Sequence, residues 1–142
     1  LTPHIDQRTQ IELVFDSELP AEITLYDEHR LRQVLNNLIG NAIKFSEFGT
    51  RVIIKAIKES ERLHVSVSDQ GPGIPEEEQS RLFQPFPKIS VKSTDGEKNT
   101  GLGLAITQKV LASMQGKAWA ESIVGTGSTF HFELPWMSAE KT

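Results

Sequence analysis

Cysteine is absent from the 142-residue chain. That excludes a zinc ribbon, a thiol nucleophile and a disulfide framework, and makes a reducing compartment the simplest setting. Long apolar runs are missing too: no stretch approaches the roughly 20 residues of a membrane-spanning helix, and residues 1–8 lack the apolar segment of a signal peptide. No membrane contact is expected from this chain, and the expected location is the cytoplasm even if a parent protein is membrane-anchored. Basic blocks are missing as well. Fifteen Lys and Arg stand against 19 Asp and Glu, a net charge of −4, so nothing here neutralises a row of phosphates and nucleic acid is not an expected partner. His4, His29, His64 and His131 lack the spacing of a zinc site or a catalytic triad. Two glycine fingerprints also fail. Gly71-Pro72-Gly73-Ile74-Pro75-Glu76 has Glu where the third Gly of a dinucleotide motif belongs, and there is no G-x-x-x-x-G-K-[ST] run.

What remains is an ordinary globular composition, 37% apolar and 24% charged. A chain of this length forms one domain, here 1–142, and buries roughly 68% of its unfolded surface without staples. The first residue, Leu1, and the polar tail 138–142 suggest a piece of a longer protein. Hydrophobic patterning gives strand, helix, two strands, short helix, polar loop, helix and two strands, with no internal repeat, hence an α+β or mixed α/β fold. Strands are expected at 11–15, 51–57, 63–69, 118–123 and 128–134, with a further extended piece near 23–25. The strongest helix runs from an Asp27 N-cap to about Phe45, with Leu31, Val34, Leu35, Leu38 and Ala42 in helical register. A short helix over 76–82 starts with Pro75 at its first position, and a third covers 102–115 until Gly116 stops it. The polar segment 87–100 has no periodicity and reads as a lid.

Three features bear on chemistry. On the first helix Asn37, Asn41 and Lys44 fall within about 60° of one another, bordering the apolar arc. The stripe is either a solvated polar face or a place where an amide oxygen and a cation meet metal-bound phosphate. By strand parity Asp69 points to the same face as Leu63, Val65 and Val67. It either organises the turn 70–73 or, buried, accepts a ligand's amino group such as the exocyclic amine of adenine. Gly101-Leu102-Gly103-Leu104 opens a helix straight after the lid, which leaves backbone N–H groups facing whatever the lid covers. Elsewhere Phe83 and Phe86 read as aromatic anchors, and Gly125-Thr126-Gly127 as a hairpin turn.

Taken together, Asn37-Leu38-Ile39-Gly40-Asn41-Ala42-Ile43-Lys44-Phe45, Asp69-Gln70-Gly71-Pro72-Gly73-Ile74, Phe83-Gln84-Pro85-Phe86, Gly101-Leu102-Gly103-Leu104 and Gly125-Thr126-Gly127-Ser128-Thr129 closely resemble the N, G1, F, G2 and G3 boxes, in order, of the catalytic ATP-binding domain of sensor histidine kinases. The resemblance implies a two-layer α/β sandwich of the Bergerat type, shared with gyrase, MutL and heat-shock chaperone ATPases, with a mixed five-stranded sheet and about three helices on one face. It implies that Asn41 holds Mg²⁺, that Asn37 and Lys44 touch the phosphates of ATP, and that Asp69 binds the adenine amine. Gly71 and Gly73 would shape that pocket. Gly101 and Gly103 would admit the phosphates, and Phe83 and Phe86 would pack the base of the lid. Lys98 would reach the γ-phosphate, and Ile74, Thr100, Leu102, Leu104 and Thr129 would complete the nucleotide contacts.

The implied activity is transfer of the γ-phosphate to a histidine on separate dimerisation and acceptor helices, with a response-regulator receiver domain downstream. Two departures stand out. Lys98-Asn99-Thr100 lacks a glycine found in many relatives, and the acceptor pattern S-H-[ED]-x-[RK]-[TN]-P is absent, so His4 is not the expected phosphorylated residue. In the ATPase relatives a Glu one turn before the metal-binding Asn orients water. Asn37 stands there in this chain, and an amide is no general base. Two other functions fit the same residues, a regulatory module that binds nucleotide without transfer and an ATPase of the same fold.

Overall fold

The computed structural model describes residues 4–6, 11–19, 26–47, 49–85 and 103–137. In chain order these form β1 (His4–Asp6), β2 (Ile11–Glu18), α1 (Glu28–Phe45), β3 (Arg51–Glu59), β4 (Arg62–Ser68), α2 (Glu76–Gln79), α3 (Gly103–Ser113), β5 (Lys117–Ile123) and β6 (Gly127–Pro135). The strands make one mixed sheet in the order β1-β2-β3-β4-β6-β5. Only β2 and β3 run parallel, as the α1 crossover between them requires; the other pairs are antiparallel.

α1 begins where the sequence says it does. Asp27 accepts the Arg30 N–H at 3.1 Å, the N-cap bond that satisfies one orphan donor of the first turn. At the other end the buried Ser46 hydroxyl bonds back to the Ala42 carbonyl at 2.7 Å. Val34, Leu38 and Ala42 are fully buried, and pack with Leu111 of α3 against Val52, Val65, Val67, Phe130 and Phe132 from the sheet. Burying a side chain of Leu or Phe size contributes about 1.5–3 kcal/mol, so this single layer between helices and sheet is where the fold is held. The far sheet face is polar: His64 and His131 meet through ring nitrogens at 2.9 Å, and Arg62 pairs with Glu133 at 3.0 Å.

Four expectations are corrected. The sheet has six strands because three residues, His4–Asp6, pair antiparallel with β2 at its edge; so short a segment leaves no alternation to read. α2 stops at Gln79 with Pro75 as its N-cap rather than its first residue. Beyond it the chain tightens into i→i−3 bonds, Arg81 to Glu78 at 3.1 Å and Leu82 to Gln79 at 3.3 Å, which drive Leu82 into the core. The left-handed residue ending α3 is Gln115, with φ 62°. Gly116 N–H reaches the Leu111 carbonyl at 2.7 Å and Gln115 N–H the Ala112 carbonyl at 3.1 Å, the pair of bonds of a Schellman cap. Gly116 instead meets β6, where an added Cβ would run into the Glu133 carbonyl. The piece at 23–25 and the lid at 87–100 lie outside the described residues.

Candidate functional site: a carboxylate cleft beside an amide stripe

Asp69 follows directly on β4, and parity carries it to the helix side, where it is 8% exposed. Its Oδ1 accepts two backbone N–H groups, from Gly71 at 3.0 Å and from Ser128 at 3.1 Å. Its own N–H donates to the Ser128 carbonyl at 2.8 Å. Both carboxylate bonds fall on one oxygen, and among the described residues Oδ2 accepts none. Asp69 therefore organises the turn and also keeps an acceptor that no described residue uses. Burial pushes its pKa above the ordinary carboxylate value, and the two N–H groups oppose that rise without cancelling it.

The acceptor lines a narrow cleft with Phe45, Gly73, Ile74, Ser128 and Phe130. The cleft is walled by contacts between the 71–74 loop and the β5–β6 hairpin. Ile74 N–H donates to Ser122 Oγ at 2.7 Å. Gln79 Nε2 bridges the Ile74 and Ser122 carbonyls at 2.9 and 3.0 Å, and Gly125 N–H reaches the Pro72 carbonyl at 2.8 Å. Gly127, at φ 141°, sits so close to Asp69 that an added Cβ would strike its carbonyl. The hairpin glycine read only as a turn residue thus lets the β5–β6 hairpin approach the Asp69 backbone closely. Phe83 packs edge-on against Phe130 with centroids 6.5 Å apart.

Along α1, Asn37, Asn41 and Lys44 are half-buried, between the core face and the exposed Arg32, Asn36 and Gly40. Asn37 Nδ2 donates to the Gly103 carbonyl and to Thr107 Oγ1, both at 3.2 Å. Asn41 and Lys44 have no hydrogen-bond or ion-pair partner among the described residues. Gly103 is the first residue of α3, with open space where a Cβ would stand, and Leu104 packs on the core. The structure thus places Asn37, Asn41, Lys44, Gly103 and Leu104 on the α1–α3 side, and Asp69, Gly71, Gly73 and Ile74 at the cleft.

Thr129 is a correction. Its hydroxyl meets Ser68 Oγ at 3.0 Å, on the face opposite Asp69, because β6 alternates and the buried Ser128, Phe130 and Phe132 hold the helix side. Phe86, Lys98, Thr100, Gly101 and Leu102 lie outside the described residues. Ser122, Gln79, Thr107 and the backbone of Ser128 were not singled out from the sequence. Parity could have found Ser128, which shares the face of Phe130 and Phe132. No sequence pattern marks the other three.

A mixed sheet covered on one face by helices, with a buried acceptor at the end of its interior strand β4 and an amide-and-lysine stripe on the long helix, defines an α/β-sandwich nucleotide-binding domain. The family of histidine kinase-, DNA gyrase B- and HSP90-like ATPases matches residues 26–138, and the chain belongs to that family. Sensor histidine kinase AruS of Pseudomonas aeruginosa is 41% identical over 138 residues, covering 91% of this chain and 13% of that protein. Adaptive-response sensory kinase SasA of Microcystis aeruginosa is 33% identical over 138 residues, covering 95% and 35%. The chain therefore spans about a third or less of the curated relatives it matches. Among solved structures, full-length ShkA in complex with AMPPNP superimposes with a TM-score of 0.80 at 37% identity, over 95% of this chain and 27% of that one. The nucleotide-free catalytic domain of histidine kinase ThkA gives 0.76 at 32%, over 91% and 81%. The resemblance of the five boxes is borne out at the level of family and fold.

Proposed function

We propose that the chain binds Mg-ATP and donates the γ-phosphoryl group to a histidine on separate dimerisation and acceptor helices of a two-component sensor kinase, which passes it to a response-regulator receiver domain. The observation that carries the nucleotide reading is the half-satisfied carboxylate of Asp69. A purine amine is a donor for the Oδ2 that no described residue uses, and Phe45, Ile74 and Phe130 give the cleft an apolar lining for a base. ShkA in complex with AMPPNP supports a nucleotide here. ThkA in complex with the response regulator TrrA, at a TM-score of 0.65 and 32% identity, supports the downstream partner.

The donor set fits magnesium. Asn41, and the Oδ1 of Asn37 left over once its Nδ2 is engaged, are neutral oxygens without partners among the described residues. Magnesium takes few protein oxygens beside phosphate and water. When bound, the ion supplies charge neutralisation. Lys44 adds a mobile positive charge at the same border, and the first turn of α3 presents backbone N–H groups to the phosphates. In the transfer the bond from the γ-phosphorus to the β–γ bridging oxygen breaks and one to an imidazole nitrogen forms. ADP leaves, and the ring loses its N–H proton. No carboxylate stands at Asn37 to activate water, which favours transfer over hydrolysis. On this reading the domain works in the cytoplasm. Labelled ATP incubated with the chain and a separate acceptor-helix domain is expected to label the acceptor histidine; steady phosphate release with no labelled acceptor would mark a hydrolase instead.

A further inference from the structure

Thr107 is fully buried in the middle of α3, where a threonine is neither a good helix former nor a good core residue. Its hydroxyl both donates and accepts. Oγ1 donates to the Gly103 carbonyl at 2.9 Å and accepts from Asn37 Nδ2 at 3.2 Å. Asn37 Nδ2 also donates to the same Gly103 carbonyl at 3.2 Å. The three groups close a ring across the α1–α3 seam.

That ring fixes which way the Asn37 amide faces. A carbonyl only accepts, so the atom against Gly103 must be the NH₂ nitrogen. With both amide protons turned to α3, Oδ1 is turned away from it and has no partner among the described residues. The Gly103 carbonyl alone leaves the amide one anchoring bond and the Thr107 hydroxyl supplies the second, without which the side chain can swing and present NH₂, which cannot ligate a cation. The seam also ties the first residue of α3 to the stripe on α1.

We propose that Thr107 is a positioning residue: its hydroxyl holds Asn37 so that the amide oxygen is offered to the phosphate-bound metal ion. The proposal rests on the Mg-nucleotide reading above. It is tested by measuring AMPPNP affinity with Mg²⁺ and with EDTA for the wild-type chain, Thr107→Val, Thr107→Ser and the Asn37→Ala/Thr107→Val pair. Thr107→Val should lower the Mg²⁺ enhancement about tenfold, the size of one lost polar contact, and leave Mg²⁺-free binding unchanged. Thr107→Ser should restore the enhancement, and Thr107→Val should have no further effect once Asn37 is Ala. An unchanged enhancement in Thr107→Val, or equal losses with Mg²⁺ and EDTA, overturns the proposal while leaving the nucleotide reading intact. A wild-type chain without Mg²⁺ enhancement overturns both. Should the Val variant not fold, nuclear Overhauser contacts between the Asn37 side-chain NH₂ and Thr107 in the wild-type chain decide. They should persist with Mg²⁺ and AMPPNP bound, and their loss on binding contradicts the proposal.

Discussion

Asp69 and Ser128 are joined twice, the Asp69 N–H to the Ser128 carbonyl at 2.8 Å and the Ser128 N–H to Asp69 Oδ1 at 3.1 Å. The pair extends the β4–β6 ladder by one residue and fixes the carboxylate at the strand end. One carboxylate oxygen is engaged by the fold, and the other accepts no bond from the described residues.

That division predicts a trade between stability and binding. The pKa of Asp69 is raised by burial, so the folded state holds its proton to higher pH than the unfolded chain. Its contribution is then present below the ordinary carboxylate value and is lost as pH rises through the raised one. Asp69→Asn keeps an oxygen for Gly71 and Ser128 and removes the ionisable group whose charged form burial disfavours. In urea denaturation at pH 7 the variant should be as stable as the wild-type chain or more so, and a loss above about 1 kcal/mol would contradict this.

Gly127→Ala should do the reverse. The added Cβ meets the Asp69 carbonyl at a backbone angle, φ 141°, that L-residues rarely adopt. A loss of about 2 kcal/mol or more is expected. A thermal melt unchanged from the wild-type chain would show that the hairpin yields freely.

On α1, less than one turn separates the buried Leu38 from the half-buried Asn41. Leu38→Ala, at a fully buried site, should cost about 2–5 kcal/mol. Asn41→Ala, half-buried and without a partner among the described residues, should stay within about 0.5 kcal/mol of wild type in denaturation. It should nevertheless lose Mg²⁺-dependent nucleotide binding by calorimetry. A large stability loss in Asn41→Ala would mark it as structural.

How much of this was legible in the chain follows from the range of each signal. α1 was readable to its cap because its period, Asp27 and the core stripe are local. Asp69 was readable because strand parity is local too. The contacts that give the site its shape are long-range: Thr107 to Asn37, Ser122 to Ile74, Gly127 to Asp69. None leaves a mark in its own neighbourhood, and Gly127 was taken for a turn residue because a turn was all its neighbours could show. Thr129 was misplaced because the motif that suggested it carries no face, whereas the alternation of β6 does.

The open sheet face predicts a pH response. His131 on β6 lies 2.7 Å from Glu121 of β5 and stacks on Trp119. It meets His64 of β4, which in turn faces Glu59 of β3 at 3.8 Å, with Arg62, Glu133 and Lys117 beside them. Burial lowers the His131 pKa below 6.5; Glu121 opposes that shift, and His64 adds to it. The unfolded chain therefore binds this proton first. Stability should be complete above the ordinary histidine value and fall as pH drops below it. Urea denaturation between pH 5.5 and 7.5 should show this slope in the wild-type chain and a flatter one in His131→Gln. Equal slopes would assign the effect elsewhere.

The most direct measurement is thermal unfolding with and without Mg-ADP, in the wild-type chain and in Asp69→Asn. At a ligand concentration 100 times the wild-type Kd, the wild-type chain should gain about 2.7 kcal/mol, a rise of several degrees by the usual ~2–8 °C per kcal/mol. Asp69→Asn, folded but presenting an NH₂ to the purine amine, should show almost none of it. Equal shifts in the two proteins, or none in either, would contradict the assignment of the cleft.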